Sequence, residues 1–135
     1  MNMPNRISRR SALRAALAVA LAPAAALFPS KAHATGKKVV KLSALPVGGT
    51  YTFTTSAKGI PAIAFRTKTG VFAYSMICTH QGCTVSYVKS SKSLVCPCHA
   101  AKFDPLKKGR VISGPAETPL SSVKLAIKSG WVVEA

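Results

Sequence analysis

The chain has 135 residues, of which 19 are basic and 3 are acidic, so its formal charge is +16 and its isoelectric point is about 10.3. This length is sufficient for one domain, and no linker long enough to introduce a second is present. Because the lysines are scattered along the chain instead of massed in one run, the charge disfavours a nucleic-acid-binding protein.

The N-terminus has the features of an export signal. Residues 6–14 read RISRRSALR, an Ala/Leu-rich run occupies residues 15–28, and residues 32–34 (Ala-His-Ala) have the small-x-small form of a signal-peptidase site. The segment SRRSALR resembles a twin-arginine signal, although Ala12 stands where a large apolar residue is usual. The resemblance predicts a signal peptide over residues 1–34 and a periplasmic or otherwise exported protein.

The alternative is that the apolar run stays as an anchor in the inner membrane. Fourteen helical residues would span only about 21 Å, against a hydrocarbon core of roughly 30 Å, so cleavage after Ala34 is favoured. The mature domain would then comprise residues 35–135, with fourteen basic and three acidic side chains and a charge of +11. Such a surface is expected to attract acidic partners at long range, or simply to keep a small domain soluble.

Short β-strands are predicted throughout the mature domain. The segments are rich in β-branched and aromatic residues and are separated by Gly, Pro and Ser. No amphipathic helix of useful length is indicated outside the signal. The fold class is therefore all-β, a small antiparallel sandwich or barrel. The predicted strands are 38–42, 51–55, 60–67, 71–77, 84–88, 93–96, 123–128 and 131–135, with hairpins formed by 84–88 with 93–96 and by 123–128 with 131–135.

All four cysteines and two of the three histidines lie in two short strings, CTHQGC (78–83) and CPCH (96–99). Each string offers one thiol and one imidazole with Cys-x-His or Cys-x-x-His spacing. Two loops of this kind can hold two tetrahedral irons from opposite sides. The strings therefore predict a metal centre between two loops that close one end of the sheet structure.

This double motif resembles that of the Rieske family, whose 2Fe-2S cluster has one iron on two cysteines and the other on two histidines. The resemblance covers about residues 70–120. It implies that Cys78 and Cys96 bind one iron and that His80 and His99 bind the other. The resemblance implies one-electron transfer, and no substrate-transforming site of the protein's own is expected.

The resemblance carries further expectations for the residues around the cluster. Cys83 and Cys98 are expected to form a disulfide, as in the Rieske proteins of quinol-oxidising complexes. Gly114 and Pro115 lie where the family has a loop that covers the cluster, although Gly-Pro is also an ordinary rigid turn.

Three other interpretations of the cysteine strings are weaker. A structural zinc site usually has Cys-x2-4-Cys followed by a His pair or a second Cys pair. Two plain disulfides would leave His80 and His99 without a role. A nucleophilic cysteine beside its base is disfavoured because Cys98 and His99 are adjacent in sequence, whereas catalytic pairs are normally brought together by the fold.

The segment after the second string departs from the quinol-oxidising pattern. Those proteins typically read CPCHGS with a tyrosine two residues after the serine, and both hydroxyls donate hydrogen bonds to sulfur. Ala101 and Phe103 occupy these positions here. Two missing donors are expected to lower the reduction potential by about 90 mV, to an intermediate value in the Rieske range.

Three functions of different classes follow from these features. The preferred one is a periplasmic electron carrier with a partner such as a c-type cytochrome. The second is the Rieske subunit of a larger oxidoreductase, either a quinol:cytochrome c complex or a molybdenum enzyme of the arsenite oxidase kind; the absent hydroxyls, signal cleavage and Gln81, where leucine is frequent, disfavour the quinol version. The third, an oxygenase, is excluded because no histidine beyond His80 and His99 follows Ala34 to bind a mononuclear iron.

Overall fold

The computed structural model describes residues 36–135. They form an all-β domain, as the strand pattern predicts, with three antiparallel sheets. The strands in chain order are β1 (Lys38–Lys41), β2 (Thr50–Thr54), β3 (Pro61–Thr67), β4 (Gly70–Ser75), β5 (Ser86–Val88), β6 (Ser93–Val95), β7 (Lys102–Asp104), β8 (Arg110–Ser113), β9 (Ser122–Val123), β10 (Leu125–Lys128) and β11 (Trp131–Glu134).

Two of the sheets make up the body of the domain. One has the strand order β2-β3-β4-β9 and the other has the order β1-β11-β10. Four successive residues of β3, Ala62 to Phe65, are buried, as expected for a central strand that is covered on both faces. A small cluster of Val40, Leu45 and Val132 forms the core beneath the β1-β11-β10 sheet.

The third sheet, with the order β5-β6-β7-β8, carries the two cysteine strings at the ends of its strands. Leu94 of β6 and Phe103 of β7 are fully buried cross-strand neighbours. They share one hydrophobic cluster with Phe65 and Tyr74 of the body. The Tyr74 hydroxyl also donates a hydrogen bond of 3.0 Å to the carbonyl of Pro105. The site-bearing sheet is therefore anchored to the body by apolar packing and a buried hydrogen bond.

Both predicted hairpins are present, because β5 pairs with β6 and β10 pairs with β11. The second is closed by Ser129 and Gly130, whose φ angles of 46° and 75° suit a tight two-residue turn. The single strand predicted over 123–128 is wrong in one respect. It divides at Lys124, so that β9 pairs with β4 in one sheet while β10 pairs with β11 in the other.

The sequence pattern also misses β7 and β8, which follow the second cysteine string. Their segments, KFD and RVIS, are short and flanked by lysine and glycine, so neither shows a sustained alternation. A 3-10 turn at Pro105–Lys107 joins them, and the Asp104 carboxylate caps it by accepting from the Leu106 N–H at 2.9 Å.

The predicted signal peptide and cleavage site lie outside the described residues. Within residues 36–135, no helix is long and apolar enough to cross a membrane.

Candidate metal centre

The two cysteine strings fold into loops that share one backbone design. In the first loop, the Cys78 N–H donates to the Cys83 carbonyl and the Gly82 N–H donates back to the Cys78 carbonyl, at 2.8 and 2.9 Å. In the second, Cys96 bonds the Ala101 carbonyl and Ala100 bonds the Cys96 carbonyl, at 2.8 and 3.0 Å. Each loop thus begins with a cysteine whose backbone closes a six-residue turn.

Each turn also requires a left-handed residue at its fifth position. Gly82 has φ of 78° and adopts this conformation without steric cost, whereas Ala100 has φ of 57° and does not. The Cβ atom of Ala100 therefore makes the second loop more strained than the first. The paired turns present their histidines toward the same end of the domain.

A disulfide joins the two loops. Cys83 of the first loop is bonded to Cys98 of the second, with their Cα atoms 6.5 Å apart. This is the pair that the family resemblance implies. The bond closes a loop with a sequence separation of 15 residues and holds the two halves of the site in register.

The two imidazoles meet beside this disulfide. The ring centroids of His80 and His99 are 4.8 Å apart and the rings are nearly perpendicular, at 86°. His99 is exposed, whereas His80 is half-buried and its Nδ1 atom is buried without a hydrogen-bond partner among the described residues. A buried imidazole nitrogen without a partner is costly, and a metal ion bound to it would remove that cost.

The two remaining cysteines are buried in the domain. Cys78 and Cys96 are both free thiols and each is only 2 % exposed. Burial raises the pKa of the Cys78 thiol, and the neighbouring Cys96 adds to the shift. Burial acts on Cys96 in the same direction, but the backbone N–H groups of Cys98 and His99, with the Cys78 side chain, outweigh it and lower the pKa of Cys96.

The sulfur atoms of this region are closely grouped. The Sγ atoms of Cys83, Cys96 and Cys98 lie within 4.8 Å of one another. Two of these sulfurs belong to the disulfide and are not available as thiolates. The thiols that can bind iron are therefore Cys78 and Cys96, and the disulfide packs directly against one of them.

A third loop, residues 114–119, lies against the two cysteine loops. A Cβ atom at Gly114 would be 2.5 Å from the Cα atom of Ala101, and φ at this glycine is +95°. The Thr79 hydroxyl donates to the Thr118 carbonyl at 2.6 Å. Pro115 and His80 both line a hollow of about 310 Å³ on this side of the site. Loop 114–119 therefore contacts both cysteine loops, the second through Gly114 and the first through Thr118.

The two positions that lack hydroxyl groups lie inside the domain. Ala101 and Phe103 are both fully buried, and the Ala101 carbonyl accepts the bond that closes the second loop. Two buried thiols and two partly exposed imidazoles thus converge at one end, without a hydroxyl donor at either position. This set of donors fits a cluster with mixed cysteine and histidine ligands.

Comparison with known proteins identifies the class. The family model described as "Rieske [2Fe-2S] domain" matches residues 36–124, so the chain belongs to the Rieske family. It is a Rieske electron-transfer protein, and its cofactor is one Rieske-type 2Fe-2S cluster.

The curated relatives include proteins named as iron-sulfur subunits of cytochrome complexes. The cytochrome b6-f complex iron-sulfur subunit of Chlorobaculum tepidum is 43 % identical over 61 residues, which are 45 % of this chain and 33 % of the relative. The cytochrome bc1 complex Rieske subunit of Streptomyces lividans is 40 % identical over 67 residues, which are 49 % of this chain and 39 % of the relative. The matched part spans between a third and two fifths of these relatives.

Solved structures agree with the fold. The plasma membrane Rieske protein of Synechocystis PCC 6803 has a TM-score of 0.61 and 26 % identity, covering 73 % of this chain and 97 % of that protein. The soluble domain of Rieske protein II from Sulfolobus acidocaldarius has a TM-score of 0.62 and 20 % identity, covering 73 % and 75 %. The second likeness is one of fold alone.

Two functional positions were not identified from the sequence. Thr79 was available as the middle residue of Cys-x-His, but its bond to Thr118 depends on a loop 39 residues away. The left-handed conformation of Ala100 was also hidden, because alanine carries no signal for positive φ. The preference of the related pattern CPCHGS for glycine at this position was the clue that could have found it.

Proposed function

We propose that this chain is an exported one-electron carrier of the bacterial periplasm, released from a twin-arginine signal peptide by cleavage after Ala34. Cys78 and Cys96 bind one iron of the cluster, and His80 and His99 bind the other. The observation that supports this ligand set best is that the ring centroids of the two imidazoles lie 4.8 Å apart, while the first residue of each of their loops is a buried free cysteine. When bound, the cluster supplies a couple that takes up and releases one electron.

The protein's own residues set the route and the surroundings of that electron. The exposed ring of His99 forms the part of the ligand set that a partner can approach, while Cys78 and Cys96 are screened from water. The disulfide and the Thr79–Thr118 hydrogen bond keep the three loops from separating. Little reorganisation is then needed when the charge of the site changes.

The partner is proposed to be acidic, for example a c-type cytochrome. Residues 36–135 contain fourteen basic and three acidic side chains, which give a charge of +11. A charge of this size attracts an acidic protein at long range and raises its association rate.

A second candidate is a Rieske subunit of a larger oxidoreductase. The relatives named above favour it, since their names place them in cytochrome b6-f and bc1 complexes, and a relative in Haloferax mediterranei is named as a putative respiratory nitrate reductase Rieske subunit. Size-exclusion chromatography of a low-salt periplasmic extract separates the two candidates. A carrier elutes near the mass of a single domain, whereas a subunit co-elutes with a larger protein.

The proposal is tested by producing the full chain in a bacterium that has the twin-arginine route. The periplasmic fraction should contain a red-brown protein that begins at Thr35 and holds two irons and two labile sulfides, with the low average g-value EPR signal of mixed ligation when reduced. His80→Ala and His99→Ala should each abolish the signal. Gln81→Ala, an exposed neighbour in the same loop, is the matched control and should keep it.

Three results would contradict parts of the proposal. Stoichiometric zinc in a colourless protein would contradict the iron-sulfur cluster. An unchanged EPR signal in either histidine variant would show that this histidine is not a ligand. Retention of the uncleaved chain in the cytoplasm or inner membrane would contradict the exported carrier but not the cluster.

A further inference from the structure

Outside the metal centre, the body of the domain carries a basic aromatic surface on the β1-β11-β10 sheet. Lys41 of β1 lies directly opposite Trp131 of β11, and its ammonium is 5.6 Å from the centroid of the indole ring. Lys38 also lies over this ring, at 4.7 Å. Both lysines are exposed and the indole is half-buried. We call these three residues the lysine–tryptophan face.

Among residues 36–135, no carboxylate side chain is paired with either of the two lysines on this face. Glu134 also belongs to β11, but it is three residues from Trp131, and side chains at that spacing in a strand point to opposite sides of the sheet. Its carboxylate accepts hydrogen bonds from the Ser56 N–H and hydroxyl. Asp104 caps a 3-10 turn and Glu117 lines the hollow beside His80. The two ammonium groups, held within about 10 Å of each other by the shared ring, therefore concentrate positive charge within one Debye length.

We propose that the lysine–tryptophan face binds the surface of an anionic lipid bilayer. Lysine ammonium groups are attracted to acidic headgroups, and tryptophan, with an apolar ring and a polar N–H, is favoured at the boundary between headgroups and acyl chains. A three-stranded sheet offers a broad surface and not a cleft for a narrow ligand. These features together favour a lipid surface over an acidic peptide.

The position of the face in the chain supports the same occupant. β1 begins at Lys38, and residues 29–37 separate it from the Ala/Leu-rich run over 15–28. Nine residues reach at most about 30 Å, so this sheet is the part of the domain that the N-terminal segment enters first. The lysine–tryptophan face thus lies on the first strand that follows the N-terminal segment, and both of its lysines remain in the chain after cleavage at Ala34.

The opposite charge pattern at the metal centre completes the argument. The three loops that surround the ligands, 76–85, 96–101 and 114–119, contain neither lysine nor arginine, and Glu117 is their only charged residue. An acidic bilayer thus attracts the basic body of the domain. The ligand loops contain no lysine or arginine that such a bilayer could attract. Binding through the lysine–tryptophan face would involve none of the residues of the three ligand loops.

Trp131 is the only tryptophan in the chain, so its fluorescence reports contact at this face directly. The full, cluster-loaded chain is titrated with vesicles of phosphatidylcholine containing 30 % phosphatidylglycerol, and with vesicles of phosphatidylcholine alone. The emission should shift to shorter wavelength only with the anionic vesicles, and the shift should be reversed by 0.5 M salt. Brominated anionic lipids should quench it.

A Lys38→Gln, Lys41→Gln variant should bind the anionic vesicles about 25-fold more weakly, since each lysine near such a surface contributes roughly 1 kcal/mol, or about five-fold. Lys89→Gln, Lys92→Gln, a matched pair of exposed lysines in the β5–β6 turn, is the control and should bind as the unchanged chain does. A chain that sediments with vesicles while its emission and quenching stay unchanged would bind through the N-terminal segment alone, which would overturn the proposal. Equal binding to both kinds of vesicle would overturn it as well. So would a shift of the Trp131 emission that an added acidic protein causes and the anionic vesicles do not.

Discussion

At the scale of single residues, Ala101 and Phe103 remove two hydroxyl groups from the neighbourhood of the sulfur ligands. Both side chains are fully buried, so a hydroxyl introduced at either position has to find a partner inside the domain. Cys96 is the nearest sulfur ligand along the chain, and its backbone N–H already donates to the Ala101 carbonyl at 2.8 Å. Donors to sulfur stabilise the reduced state, which carries more negative charge.

The double variant Ala101→Ser, Phe103→Tyr is expected to raise the midpoint potential by on the order of 100 mV, with about half of this from each single change, if each donor contributes roughly 1 kcal/mol after reduction. Protein-film voltammetry measures the shift. Phe72→Tyr, which adds a hydroxyl to a half-buried ring stacked on Phe65, is the control and should leave the potential unchanged. A double variant within about 20 mV of the parent would show that the new hydroxyls do not reach the sulfurs.

Ala100 provides a second prediction at this scale. Its φ of 57° is costly for a residue with a Cβ atom, by about 1 kcal/mol, and its side chain is exposed and loses no packing when removed. Glycine also makes the unfolded chain more flexible, so Ala100→Gly is expected to leave a free energy of unfolding about 1 kcal/mol higher than an Ala→Gly change at a position with ordinary φ, measured by chemical denaturation of the cluster-loaded protein.

Ala57→Gly is the matched control for this change. Ala57 is also exposed and is not among the residues with positive φ, so glycine there should lower stability by a few tenths to 1 kcal/mol through the unfolded chain. If Ala100→Gly behaved like Ala57→Gly, the left-handed conformation at position 100 would carry no measurable strain.

At the scale of elements, the sequence predicted best where local pattern and final contacts agree. β3 and β4 are long and apolar, and both hairpins are closed by turn residues that fix their register. β7 and β8 were missed because each has three or four residues and owes its position to pairing with neighbours, not to its own composition. The break at Lys124 was hidden for the same reason, since only tertiary packing decides that β9 and β10 join different sheets.

The two ligand loops show the same division. Their chemistry was visible in CTHQGC and CPCH, because metal ligands must have particular residue types at particular spacings. Their backbone design was not, because the repeated six-residue turn is made by N–H and carbonyl groups that every residue possesses. The bond from Thr79 to Thr118 was equally invisible, since it joins segments that are distant in the chain.

The disulfide is the element that holds these loops together, and its removal is expected to weaken the site. In the entropic model, a closed loop of about 15 residues contributes roughly 3 kcal/mol to stability. A Cys83→Ser, Cys98→Ser variant should therefore lose its visible absorbance at lower temperature and lower denaturant concentration than the parent, and show a lower potential.

Peptide mapping of the exported protein under non-reducing conditions should first show Cys83 linked to Cys98. The parent protein treated with a mild reductant is the companion sample, because the reductant breaks the same bond without changing any residue. The stability of the treated parent should approach that of the variant. Two free thiols at these positions in the native protein, or a variant that keeps its cluster as firmly as the parent, would argue against a structural role for the bond.

At the scale of the whole molecule, charge and redox site are separated. The described residues carry a net charge of +11, yet the three loops around the ligands contribute only the negative charge of Glu117. A partner is thus attracted by the body of the domain but meets a nearly neutral surface where His99 is exposed. Long-range attraction and short-range contact are controlled by different residues.

This separation predicts two different salt dependences. The bimolecular rate of electron transfer to an acidic c-type cytochrome should fall by 10-fold or more between 10 mM and 500 mM salt, because screening weakens the attraction that brings the proteins together. The first-order rate within the preformed complex should stay nearly constant, since the loops at the contact hold no basic group to be screened. Stopped-flow mixing over a range of protein concentrations resolves both rates.

A basic cytochrome serves as the control and should react faster as salt increases, because screening then relieves repulsion. If the acidic partner reacted at a rate independent of salt, or if the first-order rate fell as steeply as the bimolecular one, the body charge would not be what steers the partner.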